Sequence, residues 1–348
     1  MNIFLTGAAG LLGGALANEL VRSGHAVVGL LHREGEIRGN DRQLLASEPY
    51  RDALPGPGRV GMLIGDITQP NLGLDRAVLD SLRARIDCVI HCAALVRFEA
   101  DFEHLREVNV VGACHVAEAF AEARLVHVST AYSCGLNDGA IAEAPHDCGG
   151  EFANGYERSK ALAEAELLRI RRDAIVVRPS IIVGEYQDGR IRGYDTIYRA
   201  FKLIAEGRID ALPVAEDATL NFVPIDHVVA GITALVGRSA LERPAIVHLA
   251  AREAISALDF LSLIGRLECL VSPDVLPFSD PSSTPRNMAM RGIQPYLSYF
   301  GRSPRFETRR SEQITGLAAP VMDETAMLRQ IMFCIADGYI RPRQRMSG

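Results

Sequence analysis

Short apolar runs rich in Val, Ile and Leu alternate with stretches of helical periodicity through most of the first 250 residues, and this alternation constrains the fold most. "NIFLTG" reads as a strand, "LLGGALANELVRSG" as a helix ending at Gly24, "AVVGLL" as a second strand and "VGMLIGD" as a third. "DCVIHCAA", a helix through "HLREVNVVGACHVAEAFAEA", the strand "RLVHVST", a helix over "NGYERSKALAEAE" and the strand "AIVVRPS" follow in that order. Strands separated by crossover helices pair in parallel and take helices on both faces. The order therefore predicts an α/β, doubly wound parallel sheet.

After Pro179 the rhythm changes. Residues 184–222 carry Gly, Asp and aromatic residues around one amphipathic stretch, "TIYRAFKLIAEG", before "LNFVPIDHVVAGITALV" and the strand "AIVHLAA" resume the α/β pattern. Beyond residue 251 the chain reads as mostly helical and irregular, with a Pro/Ser-rich loop "SPDVLPFSDPSSTPRN". Residues 1–180 and 221–250 are assigned to the sheet domain, and 181–220 with 251–348 to a smaller, mostly helical substrate-binding domain. Residues 33–59 form a long polar excursion between the second and third strands.

A chain of 348 residues, 48% of them hydrophobic, can bury a large core. Its net charge of −6 and lack of a basic block argue against nucleic acid as a partner, and the arginine-rich end "RPRQRMSG" reads as a solvated tail. No apolar run approaches the ~18 residues of a membrane span, and the N-terminus enters a strand without a basic leader, so a cytoplasmic location is expected. Seven scattered cysteines without C-x-x-C pairs read as reduced core residues, and no His, Cys, Asp or Glu grouping has metal-ligand spacing.

"FLTGAAGLLGGAL" places Gly7, Gly10 and Gly13 where the first strand turns into the first helix. Glycine there lets backbone approach a pyrophosphate, whose charge the helix N-terminal N–H groups favour; Ala9, Leu11 and Leu12 complete the turn. An NAD site usually offers an acidic residue at the end of the second strand. Here that strand ends in Leu31, His32 and Arg33, and Arg33 can pair with a 2′-phosphate, which points to NADP(H).

The chain has only two lysines, and each follows a tyrosine by four places: Tyr156 with Lys160, and Tyr198 with Lys202. On a helix, positions i and i+4 share a face, so either pair could bring an ammonium to a phenol and lower its pKa for proton transfer. Spacing does not choose between them. Ser129 and Thr130 stand at the carboxyl end of a parallel strand, where open α/β sheets bind ligands.

Taken together, these motifs resemble the extended short-chain dehydrogenase/reductase family. "TGAAGLLG", "GDI", "HCAA", "NVVG", "VSTAYSCG", Tyr156 with Lys160, "RPSIIVGE" and "NFVPIDHV" appear in the family's order across roughly residues 1 to 250. "GDITQPNLGLD", "VIHCAALVRFEADFEHLREVNVVG", "HVSTAYSCG" and the late "PYLSYFGRSPRFET" are most similar to the thioester reductase and fatty acyl-CoA reductase branch.

The resemblance implies a Rossmann fold and a proton-transferring Tyr156 beside Lys160, which also binds the nicotinamide ribose. Thr130 would hydrogen-bond the substrate oxygen, with Ser129 beside it. Pro179 and Ser180 would wall the nicotinamide. Asp66 and Ile67 would lie near the adenine, and Ala93 and Ala94 beside the adenosine ribose. Asn109, read as opening a helix, is either a scaffold hydrogen-bonder or a cofactor contact. Tyr156 heads the helix directly after the strand bearing Thr130, so it is taken as the reacting tyrosine. Tyr198 is assigned to packing, with Lys202 solvated or near a substrate's polar group, and His227 in "PIDHV" is read as structural.

The implied activity is NADPH-dependent reduction of an acyl thioester, carried on CoA or an acyl carrier protein, to an aldehyde or alcohol. Rival readings keep the residues but change the substrate to a ketone, a hydroxy acid or a steroid-like alcohol. A sugar-nucleotide epimerase or dehydratase, and a cofactor-sensing regulator without turnover, stand further off. Monomer and homodimer are both compatible with the family.

Overall fold

The computed structural model describes residues 1–238, 244–278 and 288–341. Its centre is an eight-stranded, all-parallel sheet. In chain order the strands are β1 (Asn2–Thr6), β2 (Ala26–Leu31), β3 (Ser47–Pro49), β4 (Val60–Ile64), β5 (Cys88–His91), β6 (Arg124–Val128), β7 (Ile175–Pro179) and β8 (Ala245–Leu249). They lie side by side as β3-β4-β2-β1-β5-β6-β7-β8. The chain builds outward from β1 on one side, then returns to β1's other side with β5, in register Thr6 to His91. The connections leaving β1 and β5 diverge there, opening a crevice at the carboxyl ends of the strands.

Helices cover both faces, as the alternation predicts. On one face α1 (Leu11–Arg22) and α7 (Ile225–Val236) pack Leu16, Leu20, Val228 and Ile232 against Ile3, Leu5, Val126 and Val247. On the other, α2 (Arg76–Arg83), α4 (Gly112–Ala119) and α5 (Gly155–Ile170) bury Leu79, Leu82, Val116 and Leu167 against Phe4, Val28, Val89 and Leu125. The strands read as near-continuous apolar runs because both faces are covered.

A third core joins α6 (Ile197–Ala205) and α8 (Ala257–Arg266) to the segment Gln294–Gly301 and the helix Glu324–Ala336, and it draws in Tyr132 and Ile141 from the turn after β6. Short strand pairs tie the pieces together. Ile181–Val183 lies parallel to Phe222–Pro224, and Gly139–Ile141 parallel to Pro304–Phe306.

Several local expectations need correction. The excursion after β2 contains β3, a three-residue edge strand that pairs with β4 and ends in Pro49, as an edge permits. The Pro/Ser-rich loop begins with a strand, Asp274–Pro277, parallel to Ala211–Val214; its residues 279–287 lie outside the described residues, as does the tail 342–348. Asn109 does not open a helix. It sits in a π-helical turn, Glu107–Val111, between α3 (Phe102–Arg106) and α4.

Helix α5 is held on the sheet by ionic contacts. Arg178 of β7 is fully buried; its Nε lies 3.0 and 3.1 Å from the two carboxylate oxygens of Glu164, and its Nη1 donates to the Ala144 carbonyl at 2.9 Å. Burial pushes the Glu164 carboxyl upward, but Arg178 and the Ser129 hydroxyl hold it below its ordinary value. Removing one partner strands a buried charge. Arg178→Met is therefore expected to cost about 3–5 kcal/mol of unfolding free energy, read from urea midpoints. A loss under about 1 kcal/mol would show that this pair does not anchor α5.

Candidate active site

At the carboxyl edge of the sheet lies a cleft of about 530 Å³. Gly7, Gly10, Leu11, Leu12, Gly13, Ala94, Ser129, Thr130, Tyr156, Lys160, Pro179 and Ser180 all line it. The glycine turn is compact for steric reasons. Gly7 has φ +71°, and a Cβ on it would come within 2.8 Å of the Ala93 nitrogen; a Cβ on Gly13 would stand 2.0 Å from the Gly7 oxygen. Gly10 caps α1 without a side-chain hydrogen bond, and α1 carries no acidic residue in its first turn. Exposed backbone N–H groups and an unopposed helix dipole thus face the cleft, which fits a dinucleotide pyrophosphate.

The other cofactor candidates surround this turn. Ala93 packs behind Gly7, and Ala9 is exposed at the turn's crest. His32 and Arg33 are exposed just past β2, with His32 Nδ1 4.0 Å from Asp66 Oδ1. Asp66 accepts the Thr68 N–H at 2.9 Å and the Thr68 hydroxyl at 2.8 Å, and burial raises its pKa less than these bonds and His32 lower it. Ile67 is buried against Gly112. Asn109 has its polar atoms engaged within the protein: it accepts the Leu95 N–H at 2.8 Å and donates to the Leu95 carbonyl at 3.1 Å and to Ser159 Oγ at 2.9 Å. Of the two roles open to it, the scaffold role is the one its contacts fill.

Thr130 lies two residues past the end of β6 and caps the short helix Ala131–Cys134, taking the Tyr132 N–H on its Oγ1 at 3.3 Å. That bond uses an acceptor lone pair, leaving the hydroxyl proton for a ligand oxygen. Ser129 lines the cleft too, but its hydroxyl donates to Glu164. Tyr156 stands in the first turn of α5, whose cap is Asn154 Oδ1 accepting the Glu157 N–H at 2.9 Å.

The electrostatics differ from the expectation that Lys160 lowers the Tyr156 pKa. Burial pushes the Tyr156 phenol above its ordinary value, with Glu157 and Cys92 adding to the rise. Lys160 Nζ instead donates to the Val128 carbonyl at 2.8 Å and faces His127 Nε2 at 3.4 Å. Burial brings Lys160 down to about 8, against opposing contributions from Glu164 and Cys92. The phenol is therefore a protonated donor at neutral pH.

The twin pair is built for something else. Tyr198 borders the cleft but is buried, and its hydroxyl accepts the Gly184 N–H at 2.9 Å. Lys202, on the same helix, is partly exposed; it pairs with Glu206 at 2.5 Å and donates to the Tyr339 carbonyl. His227 lies in the first turn of α7 and is not among the cleft-lining residues.

The cleft's outer wall is aromatic. Phe98 stacks on Tyr156 at 5.7 Å and meets Tyr296 at 5.2 Å, while Tyr299 packs edge-on against Tyr132 at 4.8 Å. Sequence reasoning misses these four as site residues. Their only trace is in "RFEADF", "TAYSCG" and "PYLSYFG", where aromatic residues occur without periodicity.

With this geometry in view, the comparisons with known proteins are specific. Residues 5–232 match the family model described as male sterility protein, an NAD-binding domain model. The chain belongs to this family. It is 25% identical over 286 residues to fatty acyl-CoA reductase 1 of Xenopus laevis, a match covering 70% of this chain and 56% of that protein. It is 30% identical over 247 residues to a linear gramicidin synthase protein of Brevibacillus parabrevis, covering 66% of this chain and 5% of that one. The chain thus spans about half of one relative (56%) and a small part of the other (5%). Among solved structures, the terminal R domain from the myxalamid PKS-NRPS biosynthetic pathway superimposes with a TM-score of 0.81 at 23% identity, covering 99% of this chain and 92% of that domain. Among the described residues no helix is long and apolar enough to cross a membrane.

The buried Lys160 supplies a test of the site's electrostatics. An unfolded lysine keeps its proton to about 10.5, whereas the folded one gives it up above about 8. Between those values the unfolded state binds more protons, so stability rises with pH. Relative to Lys160→Met, the wild type should gain up to about 3 kcal/mol between pH 8 and 10.5 in urea unfolding. A pH-independent difference between the two would show that folding does not lower the Lys160 pKa.

Proposed function

We propose that this protein reduces an acyl thioester with NADP(H). The observation that carries the reading is the convergence of Thr130, Tyr156 and Lys160 with the glycine turn in one cleft walled by Phe98, Tyr296 and Tyr299. The likeness to a fatty acyl-CoA reductase and to a terminal R domain supports a thioester substrate, on CoA or on an acyl carrier protein. On this reading residues 1–180 with 221–250 bind the dinucleotide, while 181–220 and 251–348 shape the acyl site.

When bound, a reduced nicotinamide supplies hydride to the thioester carbonyl carbon. The residues of the chain handle the oxygen. The carbonyl oxygen accepts hydrogen bonds from the Thr130 hydroxyl and the Tyr156 phenol, which hold the negative charge developing on it. The Tyr156 proton passes to that oxygen, giving a hemithioacetal. Its collapse returns the proton to Tyr156, re-forms the C=O bond and breaks the C–S bond; the departing thiolate takes a proton from water, leaving aldehyde and thiol. Lys160 holds the nicotinamide ribose, its third N–H remaining after Val128 and His127. Pro179 and Ser180 wall the ring.

Incubation with NADPH and acyl-CoA should oxidise the nucleotide and release one free thiol per NADPH for the first reduction. Oxidation of NADPH by ketones without thiol release would favour the rival ketone reading. Tyr156→Phe should lower turnover at least about 100-fold with nucleotide affinity unchanged; Tyr198→Phe should retain most activity. The reverse pattern would reassign the reacting tyrosine.

Arg33, exposed beyond β2, is the 2′-phosphate contact on this reading. Arg33→Ala should weaken NADPH binding roughly tenfold or more and leave NADH binding unchanged. Equal use of NADPH and NADH by the wild type would overturn the NADP(H) assignment.

A further inference from the structure

The segment after the strand Ile181–Val183 sends one cation to the glycine turn. Arg192 Nη2 donates to the Ala9 carbonyl at 3.2 Å, at the crest of the Gly7–Gly13 turn. Its guanidinium is partly buried, and among the described residues it makes no ion pair. Burial pushes it below its ordinary value, Asp195 counteracts, and the nearby Arg38 adds to the depression. Arg38 belongs to the polar excursion, which lies directly on α1: a Cβ on Gly14 would come 2.1 Å from the Arg38 oxygen.

The segment carrying Arg192 is clamped in place. Its backbone N–H donates to Asn40 Oδ1 at 3.0 Å, and Asn40 Nδ2 donates to Glu185 Oε1 at 3.0 Å and to the Arg190 carbonyl at 2.9 Å. Arg42 reaches the Ile191 carbonyl at 3.2 Å and Asp337 at 2.6 Å, and the Tyr194 hydroxyl donates to Asp337 at 2.6 Å. A cluster of hydrogen bonds thus holds one partly desolvated cation over a helix N-terminus that has neither a side-chain cap nor an acidic first turn. Arg38 is paired with Glu36 and Asp195 offsets Arg192 in part, but neither carboxylate caps α1, so Arg192 and the positive end of the helix dipole stand together where an anion is favoured.

We infer that Arg192, from residues 181–220, binds the dinucleotide's pyrophosphate at the glycine turn, so that this segment completes the cofactor site. This rests on the dinucleotide reading above. The position of Ala9 on the phosphate turn separates this role from that of Arg33, which stands at the end of β2 where the adenosine ribose lies. A pyrophosphate is common to NAD+ and NADP+, whereas the 2′-phosphate is not.

Equilibrium titration with NAD+ and NADP+, without substrate or turnover, tests this on the intact chain. Arg192→Ala and Arg192→Gln, the latter keeping an N–H for Ala9 but no charge, should both weaken the two nucleotides alike, by roughly ten- to a hundredfold. Arg192→Lys should recover part of the loss in both. Melting midpoints without nucleotide identify any variant that fails to fold, in which case Arg192→Gln and Arg192→Lys decide. A loss confined to NADP+ would assign Arg192 to the 2′-phosphate and overturn the inference, as would unchanged affinity for both. A wild type that binds neither nucleotide overturns the dinucleotide reading and this inference with it.

Discussion

A stripe of buried charge on α5 underlies the site. Glu157, Lys160 and Glu164 fall at i, i+3 and i+7 on one face of the helix, and all three are buried. Each is tolerated because a partner arrives from elsewhere. Glu164 takes Arg178 of β7 and the Ser129 hydroxyl; Lys160 takes the Val128 carbonyl and His127 of β6. Glu157 takes Arg302, whose Nη1 lies 3.2 Å from Oε2, and the Tyr299 hydroxyl at 2.9 Å. Because buried charges tolerate little displacement, these contacts set where Tyr156 stands over the strand ends. The same contacts tie the helix to the Gln294–Gly301 segment, so the aromatic wall and the phenol are placed together.

The sheet's topology explains why the remaining parts meet there. Reversal of strand order at β1 and β5 opens the crevice, and the glycine turn, the Thr130 cap and the Pro179–Ser180 corner all fall at carboxyl ends of neighbouring strands. Thr6 and His91, paired across β1 and β5, hydrogen-bond at 2.8 Å beneath the crevice, and Thr6 Oγ1 also takes the Cys92 and Ala93 N–H groups. That contact fixes the strand-to-loop exit on which Ala93, Ala94 and Phe98 depend. The polar excursion after β2 ties the segment Arg190–Arg192 to the same place through Asn40 and Arg42.

Much of this is legible in the residues, for local reasons. Each main-sheet strand except β3 is an apolar run bounded by turn residues, and each crossover helix has a visible period or cap. Gly7 and Gly13 are legible because only glycine fits so close an approach. Other features are not. A π turn leaves no periodic trace, so the pattern makes Asn109 look like a helix start; the tie of Lys202 to the Tyr339 carbonyl is invisible because Tyr339 lies far along the chain. The effect of Lys160 on Tyr156 is hidden because i+4 spacing says that two groups share a face, not that their polar ends meet.

The sequence by itself determined the fold class, the phosphate-turn geometry and the residues grouped on α5, since each is encoded within one strand–turn–helix unit. Only the tertiary structure decided that Glu157 and Glu164 face inward, that Arg302 and Tyr299 return to Glu157 and Tyr296 to the cleft wall, and that Arg192 reaches Ala9. Those partners lie far apart along the chain, and a pattern of period two or 3.6 carries no information about which distant charge will neutralise a buried one. Their pairing follows from burial: once packing removes water from Glu157, the charge must be met by whichever cation the fold brings within reach.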